Sequence, residues 1–261
     1  MENVFTKAIV RPPAHNFADG LTTVDLGIPQ IELAMQQWEA YCAALQTCGL
    51  TLTRLEADPT HPDSTFVEDT AVITLHQAIL TRPGAESRAG EVAAIAEVVR
   101  GFYPEAVSIT APGELDGGDI CEAGKHFFLG ISHRTNVEGA RQLAEHLARE
   151  GYTASCVDIT GMTSILHLKS GISYIGDNTL VVMDEMAEWP EFAGYDLLRV
   201  SAAESYGANC VRVNDRVLVA EGFPNLETEL VRRGFDPLVL DMSEFRKMDG
   251  GLSCLSLRFW H

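Results

Sequence analysis

Near its C-terminus the chain reads Gly250-Gly251-Leu252-Ser253-Cys254-Leu255-Ser256-Leu257, a glycine pair delivering one cysteine into an apolar strand. A thiolate attacks electron-poor carbon; it also needs a group to shuttle protons and, for a cationic substrate, carboxylates that hold the charge in place. The chain offers both. His167 lies in Ile165-Leu166-His167-Leu168-Lys169, and two acidic clusters stand upstream, Phe66-Val67-Glu68-Asp69-Thr70 and Leu115-Asp116-Gly117-Gly118-Asp119. Cys254 therefore reads as a nucleophile and His167 as its acid and base, since imidazole exchanges protons near neutral pH. Taken singly, each has a plainer use: a buried cysteine fills core, a lone histidine sits satisfied in the interior, and an Asp before Gly-Gly-Asp makes a turn.

Repeated elements must bring these distant residues together. Residues 29–48 carry Ile31, Met35, Trp38, Cys42 and Leu45 at helical spacing and stop at Gly49, before a strand over 50–53. A second helix uses Val92, Ile95, Val98 and Phe102 and leads to a strand at 106–109, followed by a hairpin over 119–130 turning at 122–125. The third, capped by Thr135 or Asn136 and ended by Gly151, precedes a strand at 153–159 and a hairpin over 167–183 turning at 176–178. A weak helix near 185–193 leads to a strand at 197–200 and a hairpin over 209–219 turning at 214–215. The last helix, capped by Asn225, spans 226–233 and is followed by strand 238–240 and the strand through Cys254. Hairpin centres recur at about 45-residue intervals, the mark of units that bury their apolar faces against their neighbours. Five units predict a closed ring in which the N-terminal strand 8–11 pairs with the last unit, leaving no open sheet edge. An α/β sheet without internal symmetry is the alternative.

The chain has 261 residues, 46% of them hydrophobic, enough for one compact domain over 1–261. Thirty-seven acidic against 19 basic residues leave a formal charge of −18, which repels nucleic acid and anionic membranes and favours small cations. The same balance also serves plain solubility. Met1–Lys7 lacks the basic and apolar segments of a leader, and no run approaches the ~18 apolar residues of a membrane span, so a cytoplasmic location is expected. Six cysteines without a C-x-x-C pair argue against a disulfide framework and a structural zinc site; five, all but Cys254, read as buried fillers. The histidines are not spaced as a ligand set, and neither metal nor cofactor is called for. A homodimer is compatible with the sequence.

In order and spacing, Asp19-Gly-Leu21, Phe66-Val-Glu-Asp69, Thr81-Arg-Pro-Gly84, Arg134-Thr-Asn136, Leu166-His-Leu-Lys169, Ala208-Asn209 and Gly251-Leu-Ser-Cys254 resemble the dimethylarginine dimethylaminohydrolases. These belong to the guanidine-modifying superfamily of five-bladed α/β-propellers, or penteins. The resemblance implies that fold, no metal, and hydrolysis of N-omega-methylated arginine to citrulline and methylamine or dimethylamine through a covalent thiouronium on Cys254. It assigns His167 to the protons and Asp116 to steering the histidine or the substrate. It makes Asp69 the partner of the guanidinium, whose planar N–H fork suits a carboxylate. It also places Glu68 and Phe66 near the substrate, although strand alternation would send both to the face opposite Asp69. Arg88, 19 residues beyond Asp69, and Arg134 match positions that bind the α-carboxylate, whereas Arg82 is a decoy. Asp63 and the backbone of Leu21 match positions that receive the α-amino group, with the loop around Gly20-Leu21 as a lid. An arginine deiminase or an amidinotransferase would share this residue set. Deiminases, however, carry an acid where Lys169 stands, and an inserted helical domain. A non-catalytic binder of arginine-like ligands would have no need of Cys254 and His167 together.

Overall fold

The computed structural model describes residues 4–260; Met1, Glu2 and Asn3 of the N-terminal stretch, and His261, lie outside them. Strand β1 (Lys7–Val10), helix α1 (Ile31–Thr47) and β2 (Thr51–Arg54) come first, with β2 parallel to β1. β3 (Ala71–Ile73) and β4 (Ala78–Leu80) then form an antiparallel pair, followed by α2 (Glu91–Phe102) and β5 (Val107–Ser108), which lies parallel to β4. The same order recurs in β6 (Ile120–Ala123), β7 (His126–Ile131), α3 (Val137–Arg149) and β8 (Thr153–Asp158). It recurs again, after the short α4 (Leu168–Gly171), in β9 (Ile172–Tyr174), β10 (Thr179–Met183) and β11 (Asp196–Val200). A further unit comprises β12 (Val211–Val213), β13 (Arg216–Ala220), α5 (Pro224–Arg232) and β14 (Asp236–Leu240). After α6 (Ser243–Arg246), β15 (Leu257–Phe259) pairs antiparallel with β1, matching Lys7 with Phe259 and Ile9 with Leu257.

The result is α/β, with five three-stranded mixed sheets built to one plan. The plan follows from pairing geometry: antiparallel neighbours need only a tight turn, whereas a parallel neighbour needs a crossover long enough to return the chain. The turns carry residues suited to positive φ, Gly124 at 68° and Asn214 at 56°. Middle strands are the most enclosed; every residue of β10 is buried. Helices seal the sheets with their apolar stripes, as when Ile95 and Val99 of α2 pack with Leu80 and Phe259. Asn136 caps α3 by accepting from the Gly139 N–H at 2.8 Å.

Several local expectations change. The hairpin predicted from 167 begins as strand only at Ile172, because Leu168–Gly171 is a helical turn with His167 as its N-cap. The weak helix near 185–193 is two 3-10 turns, Asp184–Met186 and Pro190–Phe192. Phe223, not Asn225, caps α5, since Pro224 starts the helix where its missing N–H costs nothing, and Asn225 donates to Glu204 instead. Four of the five filler cysteines are buried, but Cys156 is exposed on β8. Cys254 does not lie in a strand; it sits on the 3-10 turn Ser253–Leu255 that precedes β15.

Candidate active site

Each sheet's entry strand is preceded by a short helical turn, and four of these turns hold or directly follow a candidate site residue. The turns are Val67–Thr70 before β3, Gly117–Asp119 before β6, Leu168–Gly171 before β9, Ala202–Ala208 before β12 and Ser253–Leu255 before β15. The first three and the last pack against one another in pairs, so residues far apart in the chain meet. A small pocket of about 20 Å³ is lined by Leu21, Asp63, Phe66, Asp69, Arg88 and Arg134 together with His167 and Cys254. Sulphur and imidazole therefore open into one cavity.

His167 Nε2 lies 3.0 Å from Asp116 Oδ2. Asp116 is wholly buried behind the ring rather than on the pocket wall, and it is fixed by the Gly84 N–H donating to its Oδ1 and its own N–H donating to Thr135 Oγ1, both at 3.0 Å. Burial works against a charged imidazole, but Asp69, Asp119 and the bond to Asp116 outweigh it and lift His167 to about 9. Burial would push the Asp69 carboxyl up, yet His167 and Arg88 hold it down at about 2. The Cys254 thiol is pushed up to about 12 by burial, with Glu68 and Asp69 adding to it, and the Gly251 N–H donates to its Sγ at 3.4 Å. At neutral pH these shifts favour a charged imidazole and a protonated thiol on the one pocket.

Asp69 Oδ2 accepts from Arg88 at 2.5 Å and its Oδ1 from the Gly118 N–H at 2.8 Å, leaving further lone pairs toward the pocket. Arg88 is buried and also paired with Glu91 of α2 at 2.7 Å. Two predicted substrate groups, Asp69 and Arg88, therefore pair with each other. Arg134 lies 3.9 Å from Asp116 Oδ2, and Arg82 pairs with Glu114 away from the pocket. The Leu21 N–H donates to Asp63 at 3.1 Å, and Thr23 N–H donates to Asp249 at 2.5 Å, which ties the segment around Leu21 to two residues of the pocket lining.

Glu68 is not on this pocket. The segment expected as a strand is the 3-10 turn Val67–Thr70, so alternation does not apply: Phe66 and Asp69, three residues apart, share the pocket, and Glu68 turns away. It faces a second cavity of about 980 Å³, where it pairs with Lys169 at 2.7 Å and accepts from Ser253 Oγ at 2.7 Å and Arg258 at 3.3 Å. Sequence reasoning assigned no role to Leu166, Met248 or Asp249, which also line the small pocket. Nor did it assign one to Asp119, which accepts from the Leu168 N–H at 2.9 Å and Ser132 Oγ at 2.6 Å behind His167. The only signal for these was adjacency to the cysteine, the histidine and the glycine pairs. Among the described residues, Asp69, Asp116 and His167 are the one group of three or more such side chains whose ligand-type atoms lie within 4.8 Å of one another.

A thiol, an imidazole and the Asp69 carboxylate open into one pocket on a repeated α/β scaffold, a combination suited to the class of enzymes acting on amidine carbon. The arginine deiminase family model matches residues 62–193. The N(G),N(G)-dimethylarginine dimethylaminohydrolase of Pseudomonas aeruginosa is 45% identical over 98% of this chain and all of that protein; the one of Streptomyces coelicolor is 35% identical over 97% of this chain and 96% of its own. A solved Pseudomonas aeruginosa structure, a cysteine-to-serine variant complexed with citrulline, superposes with a TM-score of 0.95 at 44% identity, covering 98% of this chain and 100% of that one. The chain belongs to the dimethylarginine dimethylaminohydrolase family. An N-terminal domain of the arginine dihydrolase ArgZ, 18% identical over 97% of this chain and 96% of its own, shares the fold with a TM-score of 0.84.

Proposed function

We propose that this protein hydrolyses N-omega-methylated arginine to citrulline and methylamine or dimethylamine. The observation that carries the reading is the convergence of Cys254, His167 and Asp69 on one pocket in a chain of this family. The substrate's guanidinium offers N–H donors to Asp69, and its positive charge offsets the negative field of Glu68 and Asp69 that adds to burial in keeping the Cys254 thiol protonated. Substrate binding releases the thiol proton to solvent, since His167 is already protonated, and the resulting Sγ thiolate bonds to the guanidinium carbon. The C–N bond to the methylated nitrogen breaks after His167 gives that nitrogen its proton, so the amine departs neutral and a thiouronium remains on Cys254. His167, now neutral, takes a proton from water as its oxygen attacks the same carbon; collapse then expels the thiolate, the adduct's hydroxyl proton passes to solvent, and the neutral ureido group of citrulline remains. Asp116 stabilises the imidazolium from behind, while Arg88 and Arg134 face the α-carboxylate and Asp63 with Leu21 the α-amino end.

Release of citrulline and dimethylamine from asymmetric dimethylarginine tests this, with plain arginine and an acceptor amine as parallel substrates. Cys254→Ser is expected to fold and to lose turnover by more than about 10³-fold. Full activity in that variant would remove the covalent route, and preference for plain arginine would favour a deiminase. Lys169, which stands where deiminases carry an acid, pairs with Glu68 and argues against the latter.

The finer architecture belongs to the same reading. The five sheets form five blades of a closed propeller, one catalytic domain over 1–261, supported by the pairing of β15 with β1. No helix of the described residues is long and apolar enough to cross a membrane, and the six cysteines are free, which suits a reducing cytoplasm. A homodimer is the assembly to look for by light scattering.

A further inference from the structure

Four of the five turns before the entry strands hold or directly follow a residue of the proposed chemistry, and the fifth, Ala202–Ala208, is followed by Asn209, which has no assigned role. Asn209 is buried, and its amide is fully used. Nδ2 donates to the Lys169 carbonyl at 2.9 Å and to Ser253 Oγ at 3.1 Å, and Oδ1 accepts from the Ser253 N–H at 3.0 Å. Lys169 lies two residues after His167, and Ser253 immediately before Cys254. One side chain thus bridges the base-bearing turn and the nucleophile-bearing turn. Glu68 joins the same two residues from the other side, through Lys169 Nζ and Ser253 Oγ, so that Asn209, Ser253, Glu68 and Lys169 close a ring of hydrogen bonds behind the reacting groups. Two donors and one acceptor on a short planar side chain describe asparagine and no other residue of that size. Gly251 leaves room for it, since a Cβ there would stand 2.5 Å from Asn209 Oδ1.

The geometry points to Asn209 as a positioning residue that sets the placement of Cys254 relative to His167, acting through Ser253 and Lys169 without touching the substrate. This rests on the hydrolase reading above. Asn209→Asp keeps the shape and the acceptor for Ser253 but lacks both N–H donors, so it uncouples the base-bearing turn. A displacement of about 1 Å at a reacting centre costs on the order of 10²-fold in rate. We expect Asn209→Asp to keep the native circular dichroism and to bind citrulline within about threefold of the parent, while kcat for dimethylarginine falls about 10²-fold. A kcat within about threefold of the parent overturns the inference, and so does a loss of kcat matched by equal loss of citrulline affinity and native signal, which marks a purely structural group. Gly251→Ala is the second variant, needed if Asn209→Asp does not fold. Its methyl displaces the Cys254 turn from Asn209, and alkylation of Cys254 by iodoacetamide, followed by mass spectrometry, should quicken at least tenfold. An unchanged rate sinks the proposal independently of turnover. If the unaltered protein releases no citrulline, the functional reading fails, and the alkylation comparison still decides the role of Asn209.

Discussion

At the residue scale the governing fact is a buried imidazole ringed by carboxylates. Its charged form is stabilised by Asp69, Asp119 and Asp116, and the folded chain holds it up at about 9 against an ordinary value near 6.5. A group whose value is raised on folding contributes stability that is fully present below its unfolded value and is lost as pH rises through the folded one. Between about pH 6.5 and 9, therefore, the thermal midpoint should decline, and a His167→Asn variant should show a flatter profile across that window. A parallel decline in both proteins would show that another group titrates there. The imidazolium also suits the order of events, because the proton must be in place before the amine leaves. Cys254, His167 and the two acidic clusters were legible from residue type alone; the partner that each acid takes was not. Asp69 and Arg88 read as separate substrate contacts, yet the structure pairs them, since a buried guanidinium without a carboxylate is costly.

At the element scale the deciding feature is the short helical turn ahead of each entry strand. A strand alternates its side chains, whereas a 3-10 turn brings residues three apart to one side, which is why Phe66 and Asp69 share the pocket and Glu68 leaves it. These turns pack closely enough to need glycine. A Cβ on Gly118 would lie 2.7 Å from His167 Nδ1 and 2.8 Å from Asp69 Oδ1. Gly118→Ala should therefore leave the sheets intact and reduce kcat on the order of 10²-fold by moving the imidazole; wild-type turnover would show that the ring has slack. Helix spacing, the Asn136 cap and the glycine and asparagine turns were legible because they depend on a few neighbouring residues. The turns were not, because their shape is set by packing against turns of other units.

At the scale of the whole molecule the first and last described strands meet. β15 and β1 share a sheet, so the last unit exists only when the first and last described strands pair. Phe259 is central to that seam: fully buried, it packs against Phe102 at 4.9 Å and Tyr103 at 5.9 Å between ring centroids. Phe259→Ala should lower stability by about 3–5 kcal/mol, read by urea denaturation, and should loosen the nearby turn that holds Cys254. A loss under about 1 kcal/mol would mean the seam is not where the ring is held.

The sequence alone determined the repeat, most of its helices and strands, the acidic surplus and the candidates proposed to attack and protonate an amidine carbon, since these depend on composition and local spacing. Tertiary structure alone decided that Cys254 lies on a turn rather than a strand, that Glu68 faces the larger cavity and that Asn209 joins two reacting segments. The reason is physical: side-chain direction within a short turn is fixed by contacts from units far away in the chain, and local propensity carries no information about them.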